Sequence, residues 1–192
     1  MASPSKYEGR NEPPVAGSET RTGETHLDFD AIYEQEFGYV WKSLQRLGIR
    51  GSDLADLTHE VFLRVFRGLA DYDPLRPLRP WLFGIAFRTA SEHRRAQYRH
   101  REVGELENAA SDAPAADQVV SSEEDRRLVL KALESLSMER RAVVVLHEID
   151  GLTVPEISQA LGVRLNTAYS RLRRGLIDFE KAVRRLRRES HG

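Results

Sequence analysis

Regular apolar spacing begins only at Leu27. Before it, residues 1–26 (MASPSKYEGRNEPPVAGSETRTGETH) are rich in Gly, Pro, Ser, Thr and Glu and hold almost no large aliphatic side chain. So little apolar surface cannot offset the entropy of ordering, and a disordered tail is expected. From Leu27 to about Arg101 the apolar residues recur at three- and four-residue steps, with no two-residue alternation to predict strands. FDAIYEQEFGYVWKSLQRLG gathers Phe29, Ile32, Tyr33, Phe37, Val40, Trp41, Leu44 and Leu47 on one side of a helix and closes on Gly48 as its C-cap. SDLADLTHEVFLRVFRGL predicts a second helix, with Ser52 as N-cap and Leu54, Leu57, Val61, Leu63, Val65 and Phe66 as apolar contacts. DYDPLRPLRP carries three prolines in seven residues and is expected to be a loop. A third helix, WLFGIAFRTASEHRRAQYRH, passes from apolar to basic along its length.

The periodicity then lapses. Residues 102–121 are mostly Ala, Asp, Glu and Ser, and predict a linker. Its roughly 19 residues reach about 65 Å stretched and about 25 Å as a relaxed coil, enough for the flanking modules to engage separate sites. Helical spacing resumes over 122–188, in EEDRRLVLKALESL, in SMERRAVVVLHEID with Ser137 as N-cap, and in LTVPEISQALGVRLNTAYSRLRRGL. The expected fold is therefore all-α: a tail (1–26), a helical domain (27–101), a flexible acidic linker (102–121) and a second helical domain (122–188).

Composition narrows the chemistry. No cysteine is present among the 192 residues, which removes disulfides, thiolate metal sites and cysteine nucleophiles. No apolar run is long enough to span a membrane and no signal pattern opens the chain, so a cytoplasmic protein is expected. HEVFL and HEIDG each begin like a zinc-protease motif but lack the second histidine, and His59 and His147 are read as helix-surface residues. With no phosphate-cradling glycine motif or nucleophile elbow either, neither an enzyme nor a metal or organic cofactor is expected.

The net charge of -1 conceals a sorting of charge along the chain. Between Arg76 and Arg101 seven arginines oppose Glu92 alone, a net of +6, and from Gly162 onward nine Arg or Lys oppose three acids, again +6. Between these blocks, Glu102 to Asp125 carries eight acids and no base.

The second basic block has a specific form. Thr153 and Glu156 make a capping box, Pro155 is tolerated in the first turn, and Gly162 can take the left-handed turn that ends a short helix. In the helix that follows, Ala168 and Leu172 continue the inward face, whereas Asn166, Tyr169, Ser170 and Arg173 point away, amid Arg164, Arg171 and Arg174. This predicts a helix-turn-helix with short polar readers and phosphate-clamping arginines. A solvated basic helix in an ordinary bundle would share the spacing, but not the capping box, the turn and the reader positions together.

These residues resemble region 4 of the extracytoplasmic-function sigma factors of bacterial RNA polymerase: Gly151-Leu152 before Glu156-Ile157, then Gly162-Val163, then Thr167 before Ser170-Arg171-Leu172. Upstream, DLADLTHEVFLRVFRGL is similar to region 2.2 and RPWLFGIAFRTASEHRRA to regions 2.3 and 2.4, so the resemblance runs from Leu27 to Leu186, broken only by the linker. It implies an alternative sigma factor that binds core polymerase, recognises minus-35 and minus-10 elements and helps to melt the latter.

By that resemblance Asp53, Asp56, Leu57, Glu60, Phe62 and Arg64 would dock on the coiled coil of the largest polymerase subunit, and the flap region would be a second polymerase contact. Residues Tyr72, Arg76, Arg79, Arg88, Glu92, Arg94 and Arg95 would meet the minus-10 element. Tyr72 is the favoured stacking candidate, while Trp81, Phe83 and Phe87 share the apolar face and are read as core. Arg164, Asn166, Thr167, Tyr169, Ser170, Arg171, Arg173 and Arg174 would read the minus-35 element. An anti-sigma factor, which could hold the protein at the membrane, is an implied partner.

The chain departs from many relatives at Arg88, where they carry asparagine, and in Asn166 to Arg171, NTAYSR for Gly-Thr-Val-Lys-Ser-Arg. Asn166 and Tyr169 are therefore expected to alter the sequence read. A self-sufficient regulator using the same helix-turn-helix is the alternative, but it leaves the basic third helix unexplained.

Overall fold

The computed structural model describes residues 28–102 and 120–190, and within them every regular element is helical. The expected tail, residues 1–26, and nearly all of the acidic linker lie outside the described residues. The first module comprises α1 (Phe29–Leu47), α2 (Ser52–Gly68), a 3-10 turn (Leu69–Asp71) and α3 (Leu78–Glu102). The second comprises α4 (Val120–Glu134), α5 (Met138–Val144), a π turn (Val145–Ile149), α6 (Val154–Leu161) and α7 (Leu165–Ser190).

Helix ends follow the local chemistry, with two shifts from expectation. Gly48 ends α1 at φ 93° and Gly162 ends α6 at φ 64°, both left-handed. At the start of α6, Glu156 accepts from the Thr153 amide at 2.7 Å and from its hydroxyl at 2.6 Å, and Ser137 is the N-cap of α5. Ser52 is not the N-cap of α2: Gly51 holds that position with no side-chain capping bond, and Ser52 is the first helical residue. The proline-rich loop is also shorter than expected. Helix α3 begins at Leu78, so Pro80 falls in the first turn, where a missing N–H costs no helical bond.

Each module buries the predicted stripe. In the first, Val40, Leu44, Leu47, Val61, Val65, Leu82, Phe83 and Ala86 are wholly enclosed. In the second, Ala132, Leu133, Ala142, Val143, Val145, Leu146, Ile157 and Ala168 are. Phe83 belongs to the core as expected, with Trp81 and Phe87 packed on its margin.

The two modules also pack against each other, which no spacing in the sequence announced. Helix α6 lies on α3, and α4 and α5 lie on α1, so the buried side chains form one continuous core. The Arg141 guanidinium from α5 donates to the Leu47 carbonyl at the end of α1 at 2.7 Å, and Tyr39 donates to Asp150 at 2.6 Å. Arg50 pairs with Glu134 across the same boundary.

Candidate nucleic-acid and polymerase interfaces

Three surfaces gather the residues singled out in the sequence. The first is the start of α7. Its inward positions Ala168 and Leu172 are buried, and one helical turn places Asn166, Tyr169, Ser170, Arg173 and Arg174 on the exposed side, with Arg164 at the preceding corner. Thr167 and Arg171 sit half-buried at the flanks. The Ser170 hydroxyl donates to the Thr167 carbonyl at 3.0 Å, and Tyr169 is 52% exposed. Among the described residues Arg164, Arg173 and Arg174 enter no ion pair, unlike Arg140, Arg184 and Arg185, which pair with Asp178, Glu180 and Glu189. Three uncompensated guanidinium groups thus ring two or three short polar side chains, an arrangement suited to phosphate with base edges between.

The second surface joins the proline-rich loop to α3, and half of its charged site residues, Arg76, Arg79 and Glu92, are engaged within the chain. The Tyr72 ring lies 4.5 Å from that of Trp81, and its hydroxyl donates to the Arg76 carbonyl. Arg76 pairs with Asp73. Arg79 donates to Glu36 at 2.9 Å and sits 5.2 Å from the centre of the Tyr39 ring; the Glu36 carboxylate raises its pKa further. Glu92 accepts from Arg64 at 2.7 Å, and this bond holds its carboxyl below the ordinary range. Arg88 and Arg95 are exposed and Arg94 half-buried, none in an ion pair among the described residues. Tyr72, the expected stacking residue, therefore already has a ring partner within the chain, Trp81, tilted by 41°.

The third surface is α2, where the expected docking set divides. Asp56 is exposed, Asp53 contacts His93 at 3.0 Å and Gln97 at 3.2 Å, and Leu57 packs on the core. Arg64 bridges Glu60 at 2.8 Å and Glu92, which raise its pKa. Phe62 is only 2% exposed and sits among Phe29, Tyr33 and Phe37 with ring centres 4.7–6.5 Å away. The apolar groups that α2 does present are Leu63 and Phe66, the latter 63% exposed. The sequence pattern counts both among the apolar contacts of the helix. The buried set Leu54, Thr58, Val61, Phe62 and Val65 defines the inward stripe, Leu63 falls off it, and Phe66 stands at its border against Phe29.

Among the described residues no group of three His, Cys, Asp or Glu is placed to hold a metal ion. His59 is exposed, and His147 touches its neighbour Glu148. No helix among them is long and apolar enough to cross a membrane.

This pairing of a basic α3 module with a helix-turn-helix module defines a class. The family model for Sigma-70 region 2 matches residues 32–100, and that for Sigma-70, region 4 matches residues 126–178. The chain is 33% identical over 150 residues to the ECF RNA polymerase sigma factor SigE of Mycolicibacterium smegmatis, covering 77% of this chain and 58% of that protein. It is 31% identical over 146 residues to the RNA polymerase sigma factor CnrH of Cupriavidus metallidurans, covering 69% and 74%. Among solved structures, the sigma factor RpoE of Bartonella quintana, crystallised with the anti-sigma factor NepR, shares the fold with a TM-score of 0.65 at 19% identity, over 82% of this chain and 97% of that one. The chain belongs to the ECF family of RNA polymerase sigma factors, and its function is promoter-recognising transcription initiation as an alternative sigma factor.

Proposed function

We propose that the three surfaces divide the work of that function. The start of α7 reads the minus-35 element, with Asn166, Thr167, Tyr169 and Ser170 toward the bases and Arg164, Arg171, Arg173 and Arg174 toward phosphates. The loop and α3 meet the minus-10 element through Tyr72, Arg76, Arg79, Arg88, Glu92, Arg94 and Arg95. Helix α2 docks on the coiled coil of the largest polymerase subunit through Asp53, Asp56, Leu57, Glu60 and Arg64, with Leu63 and Phe66 adding exposed apolar area. Phe62 supports that surface from beneath rather than touching the partner. The observation that carries this reading is the one-turn cluster of exposed polar side chains and unpaired arginines on α7, backed by the buried Ala168 and Leu172.

The protein works where the polymerase is, in the cytoplasm. An anti-sigma factor is its expected regulator, as NepR is the partner of the Bartonella quintana protein in that crystal structure.

The test is run-off transcription with core polymerase on promoter variants. Asn166→Ala and Tyr169→Ala should each change which minus-35 sequences are used, by about 1–3 kcal/mol of discrimination per lost base contact. A uniform loss across all promoters would show that neither side chain reads sequence.

A further inference from the structure

The basic block of α3 carries one acid. Between Arg76 and Arg101, Glu92 alone opposes seven arginines, and on a helix its natural partners are Arg88, four residues before it, and Arg95, three residues after it. Neither spacing is used. Among the described residues Arg88 and Arg95 are exposed and enter no ion pair, whereas Glu92 accepts from Arg64 of α2 at 2.7 Å. The acid is thus drawn away from its own helix, and the two arginines beside it keep their charge.

Arg64 is shaped for this capture. Its Nε donates to Glu60 at 2.8 Å, one turn earlier on α2, and Nη2 of the same planar guanidinium donates to Glu92, so the first bond fixes the direction of the second. Arginine stays charged at every working pH, and Glu92 and Glu60 raise its pKa further. The Arg64 bond in turn holds the Glu92 carboxyl below its ordinary range, with Arg88 and Arg95 adding attraction through space. Both arginines are therefore near enough to take Glu92 as a partner once Arg64 is gone. With side chains 33% and 56% exposed, the Arg64–Glu92 pair contributes little to stability. Its effect lies in where it puts the negative charge.

We propose that Arg64 is a positioning residue for minus-10 recognition: it holds the Glu92 carboxylate toward α2 and so leaves the Arg88 and Arg95 guanidinium groups free for the DNA backbone. The proposal rests on the reading of α3 as the minus-10 surface. Without Arg64, Glu92 turns to an arginine of its own helix and cancels one cation, and one phosphate contact is lost. Helix α2, the docking helix, thereby sets the charge of the helix that meets DNA.

The test uses Arg64→Met, which keeps the aliphatic stem and removes the charge. Promoter binding by holoenzyme, with each variant added to saturate core polymerase, gives the slope of log K against log salt. Arg64→Met should make that slope less negative by about 0.7–0.9, the contribution of one phosphate on single- or double-stranded DNA, so that salt removes roughly threefold less affinity between 50 and 200 mM. Arg64→Met combined with Glu92→Gln should return the wild-type slope, since the carboxylate on α3 is gone. An unchanged slope in Arg64→Met would overturn the proposal. So would a reduced slope that Glu92→Gln does not restore, which would put Arg64 itself on a phosphate or on the polymerase. The change of partner is also read without DNA, from the guanidinium NMR signals of Arg88 and Arg95 in the free chain. Arg64→Met should shift one of them and slow its exchange with water, and Glu92→Gln should reverse both changes; two unmoved signals would overturn the proposal. If the signals respond while Arg88→Ala combined with Arg95→Ala leaves the salt slope unaltered, the hold of Arg64 on Glu92 stands and the assignment of α3 to promoter phosphates fails.

Discussion

Replacing Arg173 and Arg174 together by alanine tests the minus-35 surface quantitatively. Both side chains are exposed on α7 and neither enters an ion pair among the described residues, so their charge is available to DNA and their removal leaves no described acid uncompensated. Each phosphate contact contributes about 0.9 to the slope of log K against log salt on duplex DNA. Losing two should make the slope less negative by about 1.8. Between 50 and 200 mM salt that difference amounts to roughly a twelvefold reduction in how much affinity the salt removes. Promoter binding by reconstituted holoenzyme, followed by fluorescence anisotropy across that range, reads the slope directly. Arg184→Ala is the internal control, since that guanidinium already pairs with Glu180 and its loss should move the slope by well under one unit. Weaker binding with an unchanged slope, at an unchanged melting temperature, would show that Arg173 and Arg174 do not lie on phosphates.

Other expectations concern the fold. Phe83→Ala empties a fully enclosed site and should cost about 3–5 kcal/mol in urea unfolding; a loss below about 1 kcal/mol would mean the core is not packed as described. Glu156 has its carboxyl held below the ordinary value by bonds from Thr153. The charged form is favoured by folding, so its stabilising effect is present above the unfolded-state pKa and is lost as pH falls through the lower folded value. Glu156→Gln should thus be less stable than wild type at pH 7, and the gap should close below about pH 4. A gap independent of pH would assign the effect to shape rather than charge. Removing the exposed Phe66 side chain, Phe66→Ala, should weaken association with core polymerase while shifting the melting temperature by only a few degrees. A large melting shift would place Phe66 in the core after all.

Much of this was legible in the sequence because local chemistry is short-ranged. The Thr153–Glu156 box, the Gly162 turn and the alternation of Ala168 and Leu172 with Asn166 and Tyr169 all lie within about five residues, and the structure forms each of them. The α2 face was harder, since apolar Leu63 and Phe66 look like core residues until the exact phase of the stripe is known. Least visible was the contact between modules. Arg141 reads as one more arginine in SMERRAVVV, and nothing local says that its guanidinium will meet the end of a helix 94 residues earlier. Gly84 likewise reads as a weak point in α3 until Ala160 is found against it. Tertiary proximity of that kind leaves no periodic trace.

The most direct measurement is run-off transcription with purified core polymerase and this protein on fragments carrying minus-35 and minus-10 elements. The account predicts transcripts from defined start sites only when both proteins are present, lost when either element is changed, with weak duplex binding by the protein alone. Tight, specific, dimeric binding to duplex DNA with no stimulation of core polymerase would contradict it.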